Sequence, residues 1–365
     1  MKTVIVFGYY GNGNIGDEAI LSQLIKRIRN EFPLSRIVIA SNDPDETARL
    51  HAEDSIGLSW SQRPKLIYFI IKERPIIVIG GGGILYGNSV RFYSLLALIS
   101  KVLGLELRIV GVSVGPRLNY DIIGFYNRTA RFTGINRILI KLLFEIAKNA
   151  SVRDKLSKEI LANSGVERDV IIENDLALSL DSISENYASE LLYNHIPADS
   201  PRPYIGLNLR YIRHDETRNR IISEISKVIN YASKKNLSVI FLPMSNKYDS
   251  SLINYDAIMF DLIKQKSGSA DNLYLLRGKY HPSEMLGVFG LMDIIIGMRL
   301  HSIIFAYSKE VPSYAIAYES KVVEFCQSNK IPYSDIYNID GTKILDFIDE
   351  ELKRKVSKND GKKLD

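Results

Sequence analysis

Short β-branched runs alternate with longer amphipathic stretches from residue 3 onward, and this alternation limits the fold more than any other feature of the chain. A repeated strand–helix–strand order builds a parallel sheet with helices on its faces. In the first half, strands are predicted at residues 3–7, 36–40, 76–79, 107–112, 150–152 and 170–172. The clearest helices between them fall at 18–32, 90–103 and 137–149. A polar, proline-bearing segment at 194–203 interrupts the pattern and reads as an interdomain linker. The alternation then restarts, with strands at 204–209, 238–242, 273–275, 293–296 and 313–316. Helices are expected at 219–235, 253–266, 282–292 and 302–307.

At 365 residues the chain exceeds the size at which one core stops growing, so two α/β domains are expected. The reading is a Rossmann-like domain over 1–193 and a second over 204–330. Residues 331–365 then form a C-terminal helix, clearest at 343–355, and a charged tail. Domains of this kind hold ligands outside the carboxyl ends of their strands.

Hydrophobic residues make up 46% and charged residues 24%, an ordinary balance for a soluble globular protein. With 47 basic and 42 acidic residues the net charge is +5, too balanced to make nucleic acid the main partner. A mild excess suits an anionic ligand or an anionic membrane surface. The single cysteine, Cys326, excludes an internal disulfide, and no Cys/His cluster has zinc spacing. No metal or cofactor is expected, and the cytoplasm is the natural compartment. The apolar start Met1 to Phe7 breaks at Gly8, which fits a buried first strand better than a leader. The apolar runs fall short of the ~20 residues that a spanning helix needs.

Gly297-Met298-Arg299-Leu300-His301 follows an apolar strand and opens a helix. First-turn N–H groups lack intrahelical partners, and the helix dipole is positive at that end, so the segment suits an anion. Arg299 adds a planar fork for phosphate or carboxylate, and His301 an imidazole able to carry a proton near neutral pH. Arg210 and Ser245 stand just past the ends of two other strands, and Lys321 in Tyr318-Glu319-Ser320-Lys321 follows a third. Their shared position at strand ends groups them with Arg299 and His301.

In the first half, the loop Gly8 to Glu18 joins the first strand to the first helix and carries Gly11, Gly13, Asn14, Gly16 and Asp17. Its Gly-x-Gly-x-x-Gly is followed by two acids that would repel a pyrophosphate, so a sugar hydroxyl is the better partner. A tight turn with Asp17 as helix N-cap explains the same residues, and both readings stay open. Gly80-Gly81-Gly82-Gly83 implies close backbone approach, either by a ligand or by a packed element. Gly111 to Pro116 is a similar transition and reads as structural. His51, His195, His214 and His281 read as surface or turn residues. The stretch 126–148 carries Arg128, Arg131, Arg137, Lys141 and Lys148 among apolar residues. It reads either as a core-facing helix with a basic outer side or as a membrane-surface helix.

Taken together, several segments resemble the polysaccharide pyruvyl transferase family. They are Gly16-Asp17-Glu18-Ala19-Ile20-Leu21, Gly80 to Gly83, Ser151-Val152-Arg153-Asp154, Asn174-Asp175-Leu176-Ala177 and Gly297 to Ser302. They occur in the family's order. The resemblance implies a GT-B-like fold, two Rossmann-like domains about a central cleft. It also implies transfer of pyruvate from phosphoenolpyruvate to a sugar as a ketal, with release of phosphate. In that picture Arg210, Arg299, Leu300 and His301 match donor-contacting positions. One departure is Tyr318-Glu319-Ser320-Lys321, where the family often has Tyr-Asp-x-Lys.

The expected assignment makes His301, Arg299 and Asp17 catalytic. Arg210, Arg299, Leu300, His301, Ser245 and Lys321 take the donor, and Gly11, Gly13, Asn14, Asp17, Gly82 and Gly83 the acceptor. The expected partners are phosphoenolpyruvate and a glycan, lipid-linked or free, with peripheral contact at the inner face of the cell membrane. The rival is a glycosyltransferase with a nucleotide-sugar donor, for which no base-and-ribose site stands out near Arg299.

Overall fold

The computed structural model describes residues 2–116, 129–247, 255–268 and 271–361. Its chain divides into two compact units that meet between Leu180 and Asp181.

In the first unit the strands are β1 (Thr3–Phe7), β2 (Arg36–Ser41), β3 (Asp54–Gly57), β4 (Ile76–Tyr86), β5 (Leu107–Gly115), β6 (Asn149–Val152) and β7 (Ile171–Ile172). The helices are α1 (Ile15–Glu31), α2 (Pro44–His51), α3 (Arg63–Glu73), α4 (Ser89–Val102), α5 (Gly134–Ile146) and α6 (Lys155–Asn163). The sheet is parallel throughout, in the order β3-β2-β1-β4-β5-β6-β7. One core packs Leu21, Leu24 and Ile28 of α1 against Val4, Val6 and Val78. The other packs α3, α4, α5 and α6 through Leu66, Leu96, Phe144 and Ile160 against Ile5, Ile79 and Ile109. A sheet covered on both faces is why its strands read as continuous apolar runs.

The second unit begins with α7 (Glu185–Tyr193) and continues with β8 (Tyr204–Asn208), α8 (Asp215–Lys234), β9 (Ser238–Phe241), α9 (Ala257–Lys266), β10 (Leu273–Leu275) and α10 (Pro282–Gly290). It ends with β11 (Ile294–Gly297), α11 (Leu300–Ser308), β12 (Ser313–Ala317), α12 (Ser320–Asn329), β13 (Tyr333–Asp335) and α13 (Gly341–Gly361). Its sheet is also parallel, in the order β10-β9-β8-β11-β12-β13.

Three sequence-based boundaries are corrected. Residues 181–193, placed with the first domain, belong to the second unit, because α7 packs on α10 and Ile183 donates its N–H to Ser283 O at 3.3 Å. Residues 331–365, set apart as a C-terminal helix and charged tail, belong with the second unit as far as residue 361, since β13 extends the second sheet and α13 packs on α8. The helix predicted at 137–149 starts earlier, at Gly134, and stops at Ile146 because Asn149 already pairs with Arg108 as strand β6.

Candidate functional site

In a doubly wound sheet the ligand site lies past the carboxyl ends of the two strands where the order reverses. In the second unit these are β8 and β11, and the chain leaves them at Asn208 and at Gly297. Arg210 lies two residues past β8, while Arg299 is the N-cap residue of α11, with Leu300 and His301 in its first turn. The topology therefore brings together at one sheet edge residues that are some ninety positions apart in sequence.

Buried hydrogen bonds fix this edge. Asn208 donates from Nδ2 to Leu242 O at 2.9 Å, and its Oδ1 accepts the Arg299 N–H at 3.1 Å. Met298 donates its N–H to Asn208 O at 2.9 Å. The side chain of Arg299 does not turn to the helix. Its Nε lies 2.8 Å and its Nη2 2.6 Å from carboxylate oxygens of Asp256, a residue with no exposed surface. The same carboxylate accepts the N–H groups of Met244 at 3.0 Å and Ser245 at 3.1 Å. Burial alone would make the guanidinium easier to deprotonate, but the charge and hydrogen bonds of Asp256 hold its pKa above the ordinary arginine value.

Arg210 lies over the Tyr318 ring, 4.9 Å from its centroid, and donates its backbone N–H toward Met298 Sδ at 3.4 Å. Lys321 pairs with Glu319 at 3.1 Å. Burial pushes the Glu319 carboxyl up, but Lys321, a hydrogen bond from Tyr318 and the Arg210 charge together hold it below the ordinary glutamate value. Burial first, then the Glu319 charge, drives the Tyr318 phenol far upward, against the opposing pull of Arg210 and Arg299. That phenol therefore stays a neutral donor at any working pH. Arg210, Arg299, Lys321, Tyr318 and Glu319 thus share one electrostatic neighbourhood. Arg210 Nε and Ser245 Oγ are buried and have no hydrogen-bond partner among the described residues. Buried polar groups in that state cost ~1–3 kcal/mol each unless something else satisfies them.

The first unit reverses between β1 and β4. Asn14, not Asp17, caps α1, its Oδ1 accepting the Gly16 N–H at 3.2 Å, while its Nδ2 donates to Asp17 at 2.6 Å. Glu18 turns inward, accepting the Gly11 N–H at 2.9 Å and pairing with His51 Nε2 at 2.8 Å. His51 is therefore not a surface residue. Its side chain is 2% exposed, enclosed between α1 and the end of α2. Gly11, at φ +71°, is pressed so close to Ser41 that a Cβ would lie 2.1 Å from its hydroxyl. Gly13, at φ +66°, is exposed.

The four glycines do not form a loop after the strand but lie inside β4. Added Cβ atoms would meet Leu24 at Gly80, Ile20 at Gly81 and Asp17 at Gly82, at 2.1, 1.9 and 2.6 Å. Close approach of α1 thus accounts for Gly80 and Gly81. Gly82 borders the Asp17 carboxylate, and Gly83 pairs with Ser113 across β4 and β5.

Sequence reasoning missed two partners. Asp256 lies 43 residues before Arg299, and nothing in its local spacing marks it. The only hint at Asn208 was an amide inside an apolar strand. The sequence offered the Arg153 and Asp175 segments without giving them a role. In the structure Arg153 is a buried cation bonded to Asp175 at 2.8 Å and to Ser113 Oγ at 2.6 Å. Burial would lower its pKa, but Asp175, Asp154, Tyr86 and Asp17 outweigh that and raise it. Asp17 thus lies within electrostatic reach of the Arg153 cation. His281 and His214 cap α10 and α8, and His195 meets the Tyr280 hydroxyl at 2.6 Å, as turn and surface residues do.

The polysaccharide pyruvyl transferase family model matches residues 14–320, a span that takes in Asn14, Asp17, Arg210 and Arg299 to His301 but not Gly11, Gly13 or Lys321. The chain belongs to that family. It is therefore a transferase of polysaccharide modification. A comparison with curated proteins finds no match. Among solved structures it is similar to a putative UDP-N-acetylglucosamine 2-epimerase from Listeria monocytogenes, with TM-score 0.62 and 12% identity over 96% of this chain and 88% of that one. It is also similar to the UDP-GlcNAc 2-epimerase of Methanocaldococcus jannaschii, with TM-score 0.60 and 15% identity over 96% and 92%. A third is the ADP-heptose lps heptosyltransferase II of E. coli, with TM-score 0.51 and 12% identity over 97% and 99%. At such identities the likeness shows the fold, that of the GT-B epimerases and glycosyltransferases. Family and fold agree with the resemblance read from the motifs.

Proposed function

We propose that the protein transfers pyruvate from phosphoenolpyruvate to a sugar of a cell-surface polysaccharide or of its lipid-linked precursor, forming a ketal and releasing phosphate. The observation that carries this reading is the cationic edge at the β8/β11 reversal, where Arg210 Nε and Ser245 Oγ are buried without a hydrogen-bond partner among the described residues. A donor with both a phosphate and a carboxylate supplies acceptors for such groups.

Arg210, Lys321 and the α11 N-terminus bind the donor's anionic groups, and Asp256 fixes the plane of the Arg299 guanidinium beside them. His301 donates a proton to the methylene carbon, which becomes the methyl group. The central carbon, now electron-deficient, takes the first sugar hydroxyl. Phosphate leaves with the ester oxygen, and a second hydroxyl of the same sugar closes the ketal. Of the two hydroxyl protons, one restores His301 and the other leaves on phosphate. Asp17 orients a sugar hydroxyl, with Gly13, Asn14 and Gly82 beside it.

The test compares phosphoenolpyruvate with UDP-, GDP- and CMP-sugars by thermal shift, then measures phosphate release with a panel of free and lipid-linked glycans. Stabilisation by phosphoenolpyruvate alone, with glycan-dependent phosphate release, is the expected result. Stabilisation by a nucleotide-sugar instead would assign the protein to glycosyl transfer.

A further inference from the structure

The outer surface of α4 and α5 carries a pattern that the transfer reaction does not use. On α4, Arg91, Leu95, Leu98 and Val102 follow one another at steps of four, three and four residues and all face solvent, Val102 at 84% exposure. On α5, Ile135 and Ile138 are likewise exposed, Ile138 at 62%. The two helices lie side by side and point the same way, because Arg91 Nε donates to Asn136 Oδ1 at 3.3 Å and Ser94 Oγ to Leu139 O at 2.9 Å. Their inner faces, with Leu96, Ala97, Ile140, Leu143 and Phe144, fill the core, so the outer apolar residues are surplus to folding. Single exposed apolar side chains are common, but several on the outer faces of two adjacent helices are not.

The charges around these apolar residues are one-sided. Within the two helices, Arg91 and Lys101 on α4 and Arg137 and Lys141 on α5 stand against one carboxylate, Glu145, although Arg137 and Lys141 lie beside Gly165 and Arg137 Nε donates to Ser164 O at 3.1 Å. Arg131 adds a further exposed cation just before α5, while Arg128 lies outside the described residues. A second copy of the chain would set these cations against their own equivalents, which like-charge repulsion disfavours. An anionic phospholipid surface offers phosphates to the cations and acyl chains to the leucines and isoleucines. The geometry points to the α4–α5 face as a docking surface for an anionic bilayer. It is independent of the donor chemistry, and it would bring the first unit to a membrane that holds lipid-linked glycans.

The experiment is co-sedimentation of the full chain with phosphatidylcholine vesicles with and without phosphatidylglycerol, at low and physiological salt. The parent should bind only the phosphatidylglycerol vesicles, more weakly as salt rises. Replacing the four cations together, as Arg91→Gln, Lys101→Gln, Arg137→Gln and Lys141→Gln, should lower the affinity by about two orders of magnitude or more, at roughly fivefold per cation. Leu95→Gln/Leu98→Gln/Ile138→Gln should lower it by at least about tenfold with the charge unchanged. The exposed control Lys234→Gln/Lys235→Gln on the second unit should bind as the parent does. The proposal is overturned if the parent ignores phosphatidylglycerol or if the control loses as much affinity as the cation variant. It is also overturned if the apolar variant binds unchanged, or if light scattering shows a dimer that this variant dissociates.

Discussion

Removing Asp256 should unfold the second unit's ligand edge before it affects any chemistry. Its carboxylate is fully buried and serves the Arg299 guanidinium, whose side chain is 8% exposed, together with the N–H groups of Met244 and Ser245. In Asp256→Ala the guanidinium is left buried without its counter-charge, a change that costs about 3–5 kcal/mol. The two orphaned N–H groups add to that loss, by about 1–3 kcal/mol each where water does not reach them. Because ~1 kcal/mol moves the midpoint of a 150–250-residue domain by about 2–4 °C, the lost counter-charge alone should lower the thermal transition by about 6–20 °C. Urea unfolding followed by circular dichroism measures the loss. Hydrogen exchange locates it, with peptides of β8, β9 and β11 exchanging faster and those of β1 and β4 unchanged. The double variant Asp256→Leu/Arg299→Met removes both charges and should recover part of the stability. An Asp256→Ala protein within about 1 kcal/mol of the parent, or a double variant no better than the single one, would refute the reasoning.

His301→Ala should keep most of the donor affinity, measured by calorimetry, while turnover measured as phosphate release falls by roughly 10²–10⁴-fold. Arg299→Lys keeps the charge but not the two-point contact with Asp256, so both stability and donor affinity should drop, as calorimetry would show. Gly81→Ala forces a Cβ into a position at φ +62° and 1.9 Å from Ile20, and should cost at least about 1–3 kcal/mol by urea unfolding. The folded protein holds the Glu319 carboxyl below its unfolded pKa, so this group stabilises above the ordinary carboxylate range and loses that contribution as pH falls through the folded value. The difference in urea midpoint between the parent and Glu319→Gln should therefore be greatest near neutrality and shrink in acid.

Much of the architecture was legible because it rests on periodicity. The strand at 3–7 and the strand at 273–275 were read to the residue, and most of the others within a few residues, since strands buried on both faces must be apolar throughout. The short strand β3, Asp-Ser-Ile-Gly, carried no such signal, and it exists because β2 pairs with it. The Gly297-Met298-Arg299-Leu300-His301 segment was also legible, because a strand end, a glycine and a helix start are local features. The sequence alone thus determined two parallel α/β units, the family, and the placing of Arg210 and Arg299 just past strand ends.

Only the tertiary structure decided how those residues are used. Arg299 reads in sequence as an open fork, and the fold turns it onto Asp256, which lies 43 residues away and so escapes any local pattern. The four glycines read as close approach by a ligand or by a packed element, and the packing of α1 decides for the second at two of them, which seat Leu24 and Ile20. His51 reads as a surface residue, and the return of α2 against α1 buries it on Glu18. A sequence states which groups a chain carries and how often they recur. Which group neutralises which is set by contacts between distant segments, and those exist only once the sheets have formed.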